Sequence, residues 1–374
     1  MKKRLLFAIP LITLLAVSCS GNGIPNSITF TFDELGDNVD FHTELQSKYI
    51  NAEDYTNTNG IASGSSEKSA PQGVTITWSE KKNGKDPDWY DVLVGVDGYE
   101  RSVGEVVKER SATIQNLYLG ATYHISLIAH YDSSPKNEAK LIMSDKFTFT
   151  TTNKGPRNLY YENVMNIRDL GGHGIKQGLI YRSARFSESD GATLLSSGTI
   201  KRMSHELGLK TEIDLRRRDE NGGITQSPLG EEVHYYHLPM IYGGENILTY
   251  VGDHSSGHYD NPVEIKNFFN VLADENNYPL DFHCSIGKDR TGCMAYLIEA
   301  LCGMSEEDIY RDYLFSNFAK ISGICEMKDI DDRYGKTINE YEGANLQEKT
   351  YNYLNNVVGI EKDKLNSVIS ILKA

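Results

Sequence analysis

The stretch His283-Cys284-Ser285-Ile286-Gly287-Lys288-Asp289-Arg290-Thr291-Gly292 decides how the second half of this 374-residue chain folds. Before it, Pro279-Leu-Asp-Phe282 reads as a short strand, and from Thr291 a helical pattern begins. A strand that runs into a helix through a few residues gathers their backbone N–H groups at the positive end of that helix. Five residues separate Cys284 from Arg290, enough to wrap a nest around three phosphate oxygens, with Gly287 permitting the tight turn. A thiol at such a place is pushed toward the thiolate, the form that attacks phosphorus. Arg290 adds a planar fork for two oxygens, and Thr291 can give its hydroxyl to the sulfur. Ser285, Ile286, Gly287, Lys288, Asp289 and Arg290 are the expected phosphate-binding residues, with Cys284 as nucleophile. His283 is expected to orient the loop by hydrogen bonding and not to act as a base.

Outward from the loop, the pattern is one of short strands alternating with helical stretches. Leu179-Ile-Tyr181 and Thr211-Glu-Ile213-Asp-Leu215 read as strands, and Val263–Ala273 as an amphipathic helix. Ser305 with Asp308 reads as a capping box opening another helix. This predicts an α/β domain over residues 156–374, with a central, mostly parallel sheet flanked by helices. Asn153-Lys-Gly155-Pro156 marks the linker that precedes it.

Ahead of that linker the period is two. Val74, Ile76 and Trp78 alternate with polar residues, as do Tyr90, Val92, Val94 and Val96, then Tyr123, Ile125, Leu127 and Ala129, and finally Phe147 and Phe149. Such runs predict an all-β antiparallel sandwich over residues 71–152. The early Trp, the turn Leu117-Tyr-Leu-Gly120-Ala-Thr-Tyr123 and the closing Phe147-Thr-Phe149-Thr-Thr-Thr152 resemble a fibronectin type III domain of the immunoglobulin-like class, though Leu119 stands where that family has Pro. The resemblance implies a spacer or a module that binds protein or glycan. Residues 19–70 are rich in Asn, Ser, Gly and Thr, and read as a polar tether with one possible strand at Ile28-Thr-Phe30-Thr-Phe32.

The loop itself resembles that of the cysteine-dependent protein tyrosine phosphatases, and its Gly-Lys-Asp-Arg-Thr-Gly ending is similar to the bacterial secreted subfamily with broad phosphoester specificity. Asn166-Ile-Arg168-Asp169-Leu-Gly171-Gly172, Tyr181-Arg182-Ser183, Ile213-Asp214-Leu-Arg216 with Glu220, and Asp312-Tyr313-Leu-Phe-Ser-Asn317 match that subfamily in order and spacing over roughly residues 156–320. The resemblance implies a cysteinyl-phosphate intermediate, no cofactor and no metal. It points to Asp289 as the acid–base group, since His237-Leu-Pro239-Met-Ile-Tyr242-Gly-Gly-Glu245 lacks the Asp expected near Pro239; Glu245 and Asp219 are the other candidates. Asp214 and Arg216, and likewise Arg168 and Asp169, are expected to brace the loop by ion pairing. Substrates implied are phosphotyrosine, sometimes phosphoserine or phosphothreonine, and phosphoinositides. Lys288 either favours a substrate with extra negative charge or pairs with a carboxylate such as Asp214. A phosphoinositide or small-molecule phosphatase is the alternative within the class. A non-catalytic phosphate-binding protein would be free to lose Cys284, and a sulfur-transfer enzyme would not need the Arg-Thr-Gly ending.

The first residues read as an address. Lys2, Lys3 and Arg4 precede the apolar run Leu5–Val17, and Ala16-Val17-Ser18-Cys19 follows. Residues 1–18 resemble a bacterial lipoprotein signal peptide, with Cys19 as the lipidated residue, although Leu15 stands one place early. The expected location is outside the cytoplasm, lipid-anchored to a bacterial membrane in the periplasm or at the cell surface. Removing residues 1–18 would leave 35 basic against 52 acidic side chains, a balance that argues against nucleic acid as a partner. Cys293, Cys302 and Cys325 form no Cys-x-x-Cys pair and read as buried small hydrophobes.

Overall fold

The computed structural model describes residues 24–25, 27–56, 71–98, 103–131, 140–186, 194–242, 246–254 and 257–374. Cys19 and the signal sequence, and also Glu245, lie outside the described residues.

The alternating segments form two antiparallel sheets. One runs β1 (Thr29–Phe32), β2 (Val74–Lys81) and β5 (Ser111–Ile114); the other is built from β3 (Trp89–Val96), β4 (Val103–Val107), β6 (Thr122–Tyr131), β7 (Lys140–Met143) and β8 (Phe147–Thr150). Val74, Ile76, Trp78, Tyr90, Val92, Val94, Tyr123, Ile125, Leu127 and Ala129 all point into one shared core, as a period of two requires. The Tyr123 hydroxyl accepts a hydrogen bond from the Tyr118 amide at 2.8 Å, closing the turn that leads into β6.

The second half is a three-layer α/β unit. Its sheet runs β13 (His234–His237), β12 (Thr211–Asp214), β16 (Leu280–Cys284), β11 (Ile180–Ala184), β10 (Arg168–Asp169), β9 (Arg157–Asn158). The first four strands are parallel and the last two antiparallel. Around it pack α2 (Ser197–Leu207), α3 (Asn261–Leu272), α4 (Asp289–Cys302), α5 (Glu306–Phe315), α8 (Leu346–Asn356) and α9 (Lys362–Leu372), with the short α6 (Met327–Ile330), a π-helical turn Asp331–Gly335 and α7 (Lys336–Asn339) between α5 and α8, and the hairpin β14 (Val251–His254) and β15 (Gly257–Asp260) before α3. Ser305 caps α5 by accepting from the Asp308 amide. The helix α4 is buried along nearly its whole length, so the loop that opens it is anchored on a rigid central post.

One expectation needs correction. The stretch read as a tether carries more than a strand: Glu44–Ile50 forms α1, with Gln46, Tyr49 and Ile50 buried, and Tyr49 and Ile50 join the core of the α/β unit. Tyr49 packs against Phe315 and Phe318, and Arg311 donates to the carbonyls of Tyr49 (2.9 Å) and Ala52 (2.8 Å). The physical reason is local. Thr43 and Gln46 form a reciprocal capping box that starts the helix, and the buried Tyr49 and Ile50, with Leu45 packed beside them, anchor it on the core of the α/β unit.

The two halves meet on buried polar groups. Arg157, 1 % exposed, pairs with Asp169 and donates to the carbonyls of Asn116 and Leu117, both at 3.0 Å, while its guanidinium lies over the Tyr118 ring. Leu119 and Gln177 exchange two hydrogen bonds across the same boundary.

Candidate active site

Cys284 ends the central strand β16, and the next five residues turn over into α4. Register puts Ala184 of β11 level with Cys284, and Ser183 of β11 and Asp214 of β12 level with His283 on either side. Gly287 has φ +69°, and a Cβ there would stand 2.5 Å from the Ser183 carbonyl oxygen. That is why the turn can lie flat on β11.

The loop's carbonyls are turned outward by a second layer of side chains. Asn166 donates to the carbonyls of Ile286 (3.2 Å) and Gly287 (3.0 Å), and Arg182 donates to Gly287 at 2.9 Å. Arg182 and Arg168 share the carboxylate of Asp312, Arg168 at 2.6 Å, and Arg168 also holds the Asn166 side chain. With the carbonyls held from outside, the amides face the sulfur. The amides of Ile286 and Thr291 bond to Cys284.

Four buried thiols allow a direct comparison. Burial pushes Cys302 and Cys325 up to about 12, and Cys293 also upward. Cys284, 1 % exposed, suffers the same desolvation, yet the Arg290 charge, the Thr291 hydroxyl and the two amides outweigh it and hold its thiol below the ordinary value. The Thr291 hydroxyl has no oxygen or nitrogen partner, which leaves it to the sulfur. Thr291→Val should therefore move the pH dependence of Cys284 alkylation by iodoacetamide upward by about 1 pH unit, the worth of one hydrogen bond to a charged group. An unmoved profile would remove the hydroxyl from the thiolate's support.

Beneath the loop, His283 is fully buried and donates from Nε2 to Glu212 at 2.9 Å, with Asp214 3.8 Å from Nδ1. Burial alone would depress this imidazole, but Asp214, Glu212 and Asp281 together raise it to about 9. It is a cation at neutral pH and cannot serve as a base there. Asp214 is held near 2: burial opposes its charge, but His283 and Arg216 overcome it, and the Tyr235 hydroxyl donates to it at 2.7 Å. Arg216 closes on Asp214 at 2.7 Å, so this pair braces the strand end below the loop.

Arg290 is 3 % exposed, and one of its edges is occupied. Nη1 donates to Glu220 at 2.5 Å and reaches the carbonyls of Met240 (3.3 Å) and Leu215 (3.4 Å). Nη2 makes one 3.3 Å contact with Ser285, and Nε has no partner. The free edge, Nε with Nη2, is the side that can take two oxygens of an anion. The Tyr242 ring lies 5.1 Å from the Arg290 guanidinium carbon.

Other expected residues fall elsewhere. Lys288 does not meet Asp214; its Nζ donates to the Ile324 carbonyl at 2.7 Å and faces Asp329 at 3.8 Å. Lys288 is the N-cap residue of α4, and its own side chain makes no capping bond there. Asp289 is ion-paired with Arg333 of the π-helical turn. Asp169 does not brace the loop. Neighbours on a strand point to opposite faces, so Arg168 reaches Asp312 while Asp169 turns to Arg157 and the amides of Gly171 and Gly178. Asp219, 59 % exposed, pairs with Arg217. The residues that hold the loop and the sequence reading left without a role are Glu220, Asn166, Arg182 and Asp312. All four sit in the matching segments quoted above, but which carbonyl or guanidinium each one holds is a tertiary fact. Among the described residues, no three His, Cys, Asp or Glu side chains come together as a metal site.

The model of the tyrosine phosphatase family matches residues 159–374. A Cupriavidus necator protein named as a tyrosine-protein phosphatase is 28 % identical over 178 residues, covering 44 % of this chain and 64 % of that one. A tyrosine-protein phosphatase of Nostoc commune is 28 % identical over 120 residues, covering 29 % and 41 %. The chain thus spans less than two thirds of the length of these relatives. Among solved structures, the core catalytic domain of the PP-IP phosphatase Siw14 from S. cerevisiae aligns with 47 % of this chain and 90 % of its own, at 19 % identity and a TM-score of 0.30. P. aeruginosa TpbA aligns with 49 % and 89 %, at 17 % identity and a TM-score of 0.31. The family match takes in more than half of the chain, including the whole loop from Cys284 to Arg290 and the side chains that hold it, and the chain belongs to the tyrosine phosphatase family.

Proposed function

We propose that this chain hydrolyses phosphate monoesters of phosphorylated proteins through a cysteinyl-phosphate intermediate. The observation that carries the reading is the Cys284 thiol, held below its ordinary value in a fully buried position while the three other described cysteines are pushed up. In the first step the Cys284 thiolate attacks phosphorus, an S–P bond forms, and the P–O ester bond breaks with its electron pair leaving on oxygen. The equatorial oxygens rest on the loop amides and the free edge of Arg290. In the second step water attacks phosphorus, its proton passes to a carboxylate, and the S–P electron pair returns to sulfur beside the Thr291 hydroxyl. Asp289 is the carboxylate proposed for that proton. Its ion pair with Arg333 presents it as an acceptor, which suits water activation and favours ester groups that leave without a donated proton.

The same proposal takes in the rest of the chain. The period-two strands, the shared core and the Tyr123–Tyr118 closure support a fibronectin type III-like module ahead of the catalytic unit, one that binds protein or glycan. The basic start, the apolar run and Cys19 support export and lipid anchoring to a bacterial membrane. The test is direct trapping. Acid quenching during turnover of an aryl phosphate should leave the mass of one phosphoryl group on the peptide that contains Cys284. Steady turnover with no adduct on that peptide, under quenching faster than the turnover, would overthrow the covalent mechanism.

A further inference from the structure

We propose that Glu212 is a positioning residue for the nucleophile: on the far face of the sheet it pairs with His283 and so keeps a second buried cation behind Cys284, with Arg290 in front. This rests on the reading of Cys284 as the attacking thiolate and goes further, to what stands behind the strand end that carries it.

The placement follows from register. Glu212 is level with Asp281, and Asp214 and Ser183 are level with His283, so these five side chains share one face of the sheet. Cys284, the next residue along β16, points to the other. All five are fully buried, where an ionised group is costly unless it is paired. Nε2 of His283 meets one Glu212 oxygen at 2.9 Å, and the Ser227 hydroxyl donates to the other at 2.5 Å, so the carboxylate is held at both oxygens. The Phe186 ring stands 5.3 Å from the imidazole. Asp214 lies 3.8 Å from Nδ1, but Arg216 and the Tyr235 hydroxyl already bind it, both at 2.7 Å. The third carboxyl, Asp281, takes the Ser183 hydroxyl at 2.9 Å. Burial pushes it up to about 7, with His283 and Ser183 pulling the other way, so in mildly acidic solution it is uncharged. Two carboxylates then face two cations: Asp214 has Arg216, and Glu212 is the one that balances the imidazolium. A cation behind the strand favours the charged form of the thiol in front of it. The backbone carries the same support, since the His283 carbonyl accepts from the Leu215 amide at 2.8 Å and the Leu215 carbonyl is one of the acceptors of Arg290 Nη1.

The experiment follows the rate of Cys284 alkylation by iodoacetamide against pH in the wild type, Glu212→Gln, His283→Asn, the double variant and Asp281→Asn. Glu212→Gln keeps an acceptor for Nε2 and removes the charge, so its midpoint should rise by about 1 pH unit. Because Glu212 acts through His283, the double variant should match His283→Asn and not add to it. Asp281→Asn changes a carboxyl at the same depth and should not raise the midpoint. An unmoved midpoint in Glu212→Gln, a double variant displaced further than His283→Asn, or an equal rise in Asp281→Asn would each overturn the assignment while leaving Cys284 as the nucleophile. If Glu212→Gln melts below the assay temperature, His283→Asn carries the test, and an unmoved midpoint there overturns it. A wild-type Cys284 that alkylates like an ordinary thiol and forms no phosphoryl adduct would bring down the phosphatase reading and the assignment together.

Discussion

Cys284→Ser is expected to lower turnover of an aryl phosphate by on the order of 10⁵-fold, with a melting temperature within about 2 °C of the wild type. The loss is large because everything around the sulfur acts on ionisation. Arg290, two amides and the Thr291 hydroxyl together bring a buried thiol below its ordinary value. The same surroundings cannot bring an alcohol, whose proton is held far more tightly, into the range where it ionises near neutrality. The stability change is small because oxygen is smaller than sulfur and the new hydroxyl faces donors and acceptors already in place. Loss of activity with a collapsed melting transition would mean that the sulfur is needed for packing. Retained turnover would mean that phosphorus is attacked by something else.

Gly287→Ala carries the second-largest expected effect, and it acts through shape. The added Cβ would lie 2.5 Å from the Ser183 carbonyl oxygen and 2.8 Å from the Ala184 amide nitrogen, both backbone atoms of a central strand. Neither can retreat, because β11 is hydrogen-bonded to β16 on one side and β10 on the other. The loop must lift instead, which breaks the contacts of the Gly287 carbonyl with Arg182 and Asn166. A displacement of about 1 Å in a phosphate nest costs on the order of 10²-fold in kcat/KM, and the left-handed backbone adds roughly 1–2 kcal/mol of destabilisation. Gly208→Ala is the control. Gly208 also has a positive φ, 58°, but a Cβ there meets nothing within 4 Å. It should lose stability by the backbone cost alone and keep its kcat/KM. Equal kinetic losses in both variants would show that the close approach to Ser183 is not what matters.

Much of this was legible in the sequence, for a physical reason. Cys284, Gly287, Arg290 and Thr291 lie within eight consecutive residues, so their mutual geometry follows from one turn and one helix start. The alternation of Val74, Ile76 and Trp78 likewise needs only the pleat of a strand. What could not be read was direction and partner. Lys288 and Asp289 are adjacent to the nest in sequence, yet one reaches Ile324 and the other Arg333, in a segment about 40 residues away whose path no local pattern gives. Arg168 and Asp169 are adjacent in sequence, yet strand geometry sends one to Asp312 and the other to Arg157. The helix α1 announces itself only through the capping box of Thr43 and Gln46. With so few apolar residues, its periodicity did not rise above the polar background.

The placement of α1 has a consequence for how this protein can be dissected. Among the described residues the chain lays β1 into the sandwich, crosses to the α/β unit to lay down Tyr49 and Ile50, returns for β2, and crosses again at Gly155 and Pro156. The two units are therefore laced together rather than strung in series. A gene fragment opening at the linker would bare Phe315 and Phe318, strip Arg311 of two carbonyl acceptors, and leave Arg157 without those of Asn116 and Leu117. Moving the α/β unit onto another partner would therefore have to carry the α1 segment with it.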